Sequence, residues 1–275
     1  MNPQERKTIP MTESDKANPI SKYYSEQTAQ PAPQVMGALF GAGPMDPSLA
    51  MAPQDCGKLL DPVNLVNQTG YCIMENGAGY STVQTMMPGV TLEMIQWFFS
   101  WMPLKQIRYK IWEPYSHMSI AVADHHREKL EDPSISYADK CKNVIHFAVN
   151  VTPMGERNAI SHYESVEPFG IKEEDLKDAI AIGGFRINSP RSPKHGNYNK
   201  SCSAFLYYCR AVDGGVEVIS KEWQGYRINR GVVDFRLPAQ VTLPIEAAMG
   251  PAIAFAMEFA NLGSLLPKLY EEYGK

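Results

Sequence analysis

The pattern of apolar and polar positions changes character twice along the chain. Residues 1 to about 35 are polar and rich in Pro and Gln, which predicts an arm without a core of its own. From Gln34 to Val66, short apolar runs are broken by Gly and Pro, as in "GAGPMDPSLAMAPQDCGKLLD". These read as one or two short helices and turns that pack on a neighbour, including another subunit. Beyond Val66 the segments become longer and regular. "GYCIMENGAGYSTVQTMM" predicts two strands around a Gly-rich turn. "TLEMIQWFFSWM" predicts a strongly apolar helix that Thr91 caps. "RYKIWEP" reads as a strand and "AVADHHREKLED" as a polar loop or surface helix. "KNVIHFAVNV" and "NAISHYESV" read as strands on either side of "TPMGER", and "KEEDLKDAIAI" as a surface helix. "SCSAFLYYCRAV" and "VEVISKEWQGYRI" pair across "DGG", a hairpin signal.

The last stretch, "AIAFAMEFANLGSLLPKLYEEYG", carries apolar residues on all sides of its first half, which predicts a long, deeply buried helix. Glu258 interrupts it. A buried carboxylate without a partner is costly or takes up a proton, so Glu258 requires a metal, a cation or a ligand hydroxyl. An antiparallel sheet followed by one long helix is an α+β pattern. A curved sheet gripping that helix leaves a cavity, with Glu258 facing into it. The expected division is an N-terminal arm with short helices over residues 1–66 and a ligand-cavity domain over residues 67–275.

A net charge of −4 with 20% charged residues argues against a nucleic-acid binder, which needs a basic face. The N-terminus "MNPQERKTIPMTESDK" lacks the apolar core of a signal peptide. Pro251 and Glu258 interrupt the longest apolar run, so no membrane span is expected. Cys56, Cys72, Cys141, Cys202 and Cys209 are scattered without a CxxC pair and read as free thiols in a reducing cytoplasm. With 14 Met and 14 Tyr, the chain has the means to line an adaptable apolar cavity with hydroxyl handles. "GGFRINSP" lacks phosphate-loop spacing. His125, His126, His162 and His195 lie in polar contexts and are expected at the surface.

Several blocks resemble the diacetylphloroglucinol hydrolase and phloretin hydrolase family. They are "GPMDP", "GYCIMENGAGY", "MPGVTLEMIQWFFSWMPLKQIRYKIWEPYSH", "LEDPSIS", "VEPFGI" and "EFANLGSLLPKLYEEYG", and they run from Gly43 to Gly274. The resemblance implies a helix-grip fold like that of Bet v 1 proteins, preceded by an N-terminal helical segment that makes the contacts of a homodimer. It implies cleavage of a carbon–carbon bond between an acyl group and a polyhydroxylated ring. It also implies a zinc held by two His and two Glu. One His closes the "RYxxWxPxxH" block, one Glu ends a THxVxE strand motif, and the other two sit four apart on the last helix, where they share a face.

This chain departs from that set. His117 and Glu258 occupy two of the places. Ala254 stands where the helix His belongs, and Asn150, at the end of "IHFAVN", stands where the strand Glu belongs. Tyr207 stands where a His is expected. Ala and Asn bind zinc poorly or not at all, so no cofactor is favoured. Zinc on His117, His146 and Glu258 is the alternative, since His146 shares a strand face with Asn150. The expected catalytic residues are Tyr109, His117 and Glu258. Trp112, His146, Asn150, Tyr207, Trp223 and Ala254 are expected to line the substrate. The expected reaction is metal-independent and acts on a phenolic or polyketide-derived ring: a cyclisation, a dehydration or a cycloaddition of a quinone-methide-like partner, for which positioning supplies much of the rate. The alternatives are a zinc-dependent carbon–carbon hydrolase and a non-catalytic phenol-binding protein.

Overall fold

The computed structural model describes residues 7–66, 68–153, 155–191 and 200–274. In chain order its helices are α1 (Glu13–Lys16), α2 (Pro33–Met36), α3 (Leu92–Trp101), α4 (Gln106–Trp112), α5 (Asp124–Glu131), α6 (Tyr137–Lys140) and α7 (Glu246–Tyr273). The strands are β1 (Gly70–Ile73), β2 (Gly79–Pro88), β3 (His117–Val122), β4 (Val144–Thr152), β5 (Gly155–Glu164), β6 (Ala179–Pro190), β7 (Ser201–Val212), β8 (Gly215–Gln224), β9 (Tyr226–Asn229) and β10 (Val232–Phe235). Strands β1 to β8 form one antiparallel sheet in the order β1-β2-β8-β7-β6-β5-β4-β3, and β9 and β10 form a separate hairpin. The expected α+β helix-grip arrangement is the one observed.

Helix α7 lies in the concave face, against β2 above all. Small residues let it approach closely: Ala248, Ala252 and Ala256 are buried, and the Ser81 hydroxyl donates to the Ala248 carbonyl at 2.6 Å. By length and apolarity α7 could cross a membrane, and Pro251 and Pro267 both lie inside it without ending it. That corrects the expectation that no run reaches such a length. Its buried face, from Ala248 through Phe255 and Phe259 to Leu269, is instead the centre of the main core.

The convex face is also covered. A turn of 3-10 helix at Pro53–Leu60 buries Cys56 and Leu59 among Tyr80, Phe169, Leu206 and Trp223. The Trp223 indole N–H donates to the Met51 carbonyl at 2.7 Å. So the Gln34–Val66 stretch packs on its own sheet, and Phe40, Leu49, Val63 and Val66 remain exposed on it. Further upstream, the buried ion pair Asp15–Lys110, at 2.7 Å, ties α1 to α4.

Three local expectations are corrected. "RYKIWEP" is not a strand: residues 106–112 form α4. A short apolar run reads equally well as a strand or a buried helix, and periodicity alone does not separate them. Here tertiary partners decide, because the Asn261 amide, one turn after Glu258, donates to the carbonyls of Ile111 and Trp112 at 3.1 and 2.9 Å. These are carbonyls that a helix end leaves without intrahelical partners. "KEEDLKDAIAI" is not a surface helix but a turn at Glu173–Asp175 followed by the start of β6. Ala179–Ile182 pair with Tyr207–Arg210, and sheet pairing overrides helix propensity. The strand read through "VEVISKEWQGYRI" also breaks at Gly225, whose φ of +94° few other residues adopt.

Lys221 is fully buried beneath the N-terminal cover. Its ammonium donates to Gln68 Oε1, the Tyr80 hydroxyl and Thr82 Oγ1 at 2.5, 2.7 and 3.1 Å, all neutral oxygens. Burial lowers its pKa to about 8 from 10.5. The folded value lies below the unfolded one, so the unfolded chain binds the extra proton between them and stability rises with pH across that window. Lys221→Met should remove this dependence. Urea unfolding between pH 8 and 10.5 should show the parent gaining about 3 kcal/mol relative to the variant. Parallel curves would mean that Lys221 stays charged and hydrated in the fold.

Candidate functional site

Side chains alternate along each strand, so residues two apart share a face. On the concave face this alternation builds cross-strand rows. One row runs His117–Asn150–Arg157–Pro190 over β3 to β6. His117 closes the loop after α4: its N–H donates to the Glu113 carbonyl at 2.9 Å, and a register shift between His117 and Ser119 sets it apart from the rest of β3. Its ring stacks on Tyr109 at 3.7 Å with planes 6° apart, and Trp112 meets it edge-on at 4.9 Å.

The imidazole has a defined polarity. His117 Nδ1 lies 3.1 Å from the Tyr109 carbonyl. A carbonyl only accepts, so Nδ1 carries a hydrogen, and Nε2 is the nitrogen that exchanges a proton. Nε2 faces Glu258 Oε1 at 3.3 Å. This is the partner that Glu258 requires. The Glu258 side chain keeps 13% of its surface, so the pair reaches the edge of the core. The Trp112 indole donates to the Glu258 carbonyl at 3.0 Å and holds α4 against α7.

The Tyr109 hydroxyl donates to Asn150 Oδ1 at 2.6 Å. Burial, and then the charge of Glu258, raise the Tyr109 pKa. Burial likewise raises those of Tyr163 and Tyr207. All three tyrosines therefore remain protonated donors near neutral pH. Tyr207 packs among Phe99, Phe205, Phe255 and Phe259, next to the pair.

The structure places Tyr109, Trp112, His117, Asn150 and Glu258 together. Ala254, one turn before Glu258 on α7, is half-buried. His146 is on the same face as Asn150 but four residues along β4, about 13 Å at the usual strand rise. It packs on Tyr163 at 4.5 Å, and burial lowers its pKa to about 3, so it is neutral. Trp223 is a correction: it follows Glu222, so alternation turns it to the convex face, away from this site. His125 is exposed and His126 and His162 half-buried, whereas His195 lies outside the described residues. Two surface hollows, of about 170 and 360 Å³, lie beside Cys141 and Ile180 and beside Glu167 and Ile171, and neither is lined by a residue of this site.

The donor set does not fit the zinc that the resemblance implies. His117 and Glu258 are in contact, but Ala254 has no donor atom and the Asn150 oxygen is engaged by Tyr109. The alternative set of His117, His146 and Glu258 is spread too far along β4. Among the described residues, no group of three or more His, Cys, Asp or Glu side chains could hold a metal ion.

Sequence reasoning missed Arg186 on β6. Its Nε donates to Ser161 Oγ and its Nη1 to Glu222 Oε2, both at 3.1 Å. The available signal was the alternation of β6 itself, which sets Ile182, Gly184 and Arg186 on the face of Tyr207.

Comparison with known proteins gives related but distant matches. The 2,4-diacetylphloroglucinol hydrolase of a Pseudomonas species is 26% identical over 270 residues, 93% of this chain and 88% of that protein. The phloretin hydrolase of Eubacterium ramulus is 26% identical over 274 residues, covering 96% and 93% of the two chains. Among solved structures, Ara h 8.0201 aligns with 70% of this chain and 99% of its own, at a TM-score of 0.41 and 11% identity. The model of the DAPG hydrolase PhiG domain matches residues 51–271, and the chain belongs to that family.

Proposed function

We propose that this chain is an enzyme acting on a polyhydroxylated aromatic ring, and that its reaction is hydrolysis of the carbon–carbon bond between the ring and an acyl group. The observation that carries the reading is the 3.3 Å contact of His117 with Glu258, at two positions where the resembled family has site residues. The names of the relatives, hydrolases of 2,4-diacetylphloroglucinol and of phloretin, supply the substrate class. In this hydrolysis the ring–acyl bond breaks, the ring carbon takes a proton, and the acyl carbon takes the hydroxyl of water to leave as a carboxylic acid. His117 Nε2 delivers the proton, and Glu258 receives the one that water gives up. Tyr109, buried and protonated, holds Asn150 in place at the same end of the site.

A metal-independent cyclisation, dehydration or hetero-Diels–Alder cycloaddition is the second reading. Ala254 and the Tyr109–Asn150 bond favour it, because they leave the family's metal two donors short. Incubation with 2,4-diacetylphloroglucinol and with phloretin, with a chelator and with added zinc, separates the readings. Release of carboxylic acid that survives chelation supports the hydrolase. Saturable binding of both rings without release overturns hydrolysis and leaves the second reading. Absence of binding removes the phenolic substrate class.

Glu258→Gln keeps shape and hydrogen-bonding capacity but not the charge. Turnover should fall by about a hundredfold or more, the scale of a lost acid–base group. The melting temperature should hold or rise, since an ionised buried carboxylate is costly. A structural Glu258 would give the reverse pattern on the same preparation.

Ala254→His combined with Asn150→Glu should create a zinc site. Residues 254 and 258 share a helix face, and residue 150 stands directly opposite His117 across the strand pair. Elemental analysis after dialysis should find about one zinc per chain in the double variant and far less in the parent. Equal zinc in both would show that these positions do not converge.

A further inference from the structure

Two residues deeper along the strands than Ala148 and Ala159, a second polar row crosses the concave face: His146–Ser161–Arg186–Ser203–Gln224, over β4 to β8. A polar row inside a core is unfavourable unless its members are satisfied, and this one is satisfied only in part. The Gln224 amide donates to Glu222 Oε1 at 2.6 Å and so fixes the carboxylate that Arg186 meets through Nη1. The Phe205 ring lies 4.9 Å from the guanidinium carbon. Two of the three guanidinium nitrogens are thus held, by Ser161 and Glu222. Its other terminal nitrogen, Nη2, has no hydrogen-bond partner among the described residues, although a guanidinium offers five donors. The hydroxyl of Ser203, beside Arg186 on the neighbouring strand, is buried and without a partner among the described residues. The Arg186 side chain keeps 20% of its surface, so its free edge is reachable. Between this row and the row of His117 and Asn150 lies the row Ile120–Ala148–Ala159–Asn188–Ser201.

We infer that Arg186, with the hydroxyl of Ser203 beside it, binds a ring oxygen of the substrate that becomes negatively charged during the reaction. This rests on the phenolic reading above and deepens it. When the ring–acyl bond breaks, the bonding electrons pass to the ring carbon and delocalise onto the ring oxygens as a phenolate. His117 and Glu258 handle the proton, and the free edge of Arg186 holds the oxygen. Donors that are already in place, in a region of low dielectric, stabilise such charge without reorganising. The oxygen class is a phenolate or the enolate of a 1,3-dicarbonyl, and Ala148 and Ala159 provide the apolar floor between the two ends. Glu222 does not compete for the free edge, because Arg186 Nη1 and Gln224 occupy its oxygens.

The test uses Glu258→Gln protein, in which slowed turnover leaves time to observe the bound ring, with phloretin as the probe and its ring absorption as the readout. Bound phloretin should ionise at a pH lower than free phloretin by about one unit or more. Arg186→Met combined with Glu222→Gln, which leaves no unpaired carboxylate, should abolish that shift and weaken binding about tenfold or more. Arg186→Lys should restore part of the shift. Near-ultraviolet circular dichroism checks that each variant is folded. Binding without a shift in the Glu258→Gln protein, or a shift that persists without Arg186, overturns the inference and leaves the phenolic reading standing. If phloretin does not bind at all, the reading on which the inference rests is overturned, and the inference falls with it.

Discussion

The seating of α7 in the sheet is the contact on which the rest of the molecule depends. Ala248, Ala252 and Ala256 bring the helix close to β2, at one side of the concave face. A larger residue at any of the three would lift the helix off the sheet. Because α7 sits to one side, the β4–β7 half of the face is left for α3, α4 and the site. Asn261 and Trp112 then lock α4 to α7. Glu258 bears the first lock on its own carbonyl and Asn261 makes the second one turn later, so the approach of Glu258 to His117 follows from backbone contacts and not from the ion pair itself.

The site therefore has a mechanical division. The His117 end is positioned from outside the sheet, by α4, by the loop before β3 and by α7. The Arg186 end is positioned by the sheet alone, through strand register. A change in the loop moves one end and not the other. A one-residue slip of β6 would turn Arg186 to the convex face, where it would meet Tyr80 and Trp223.

Much of this was legible in the residues, for physical reasons. The two hairpins, the capped apolar helix and the long last helix follow from turn chemistry and periodicity, which are local. Glu258 stood out as a carboxylate inside an apolar helix, and His117, Tyr109 and Asn150 were singled out by the blocks that resemble the hydrolase family. What was not legible depends on tertiary partners. α4 is a helix because Asn261 and α7 receive its end, and β6 starts at Ala179 because β7 needs a partner there. Trp223 was assigned to the wrong face because the register of β8 becomes known only with its neighbours. Arg186 was overlooked because "GGFRINSP" was weighed only as a phosphate loop, whereas in the sheet Gly184 passes so near the His162 carbonyl that a Cβ there would lie 1.8 Å from it.

The cover on the convex face has a consequence for how the chain is cut. Residues 51–65 supply Cys56, Leu59 and Leu65 to the second core and accept the Trp223 indole hydrogen. Without them a broad apolar surface around Trp223, Tyr80 and Phe169 would meet water, and the charge on Lys221 would come out of hiding. A fragment that starts at β1 would contain every residue of the site and still be a poor protein. It would expose one bare side of an eight-stranded sheet, and such surfaces associate with one another before they bind anything else. Deletion libraries and expression boundaries for this family should therefore respect the stretch before β1 as part of the folded unit.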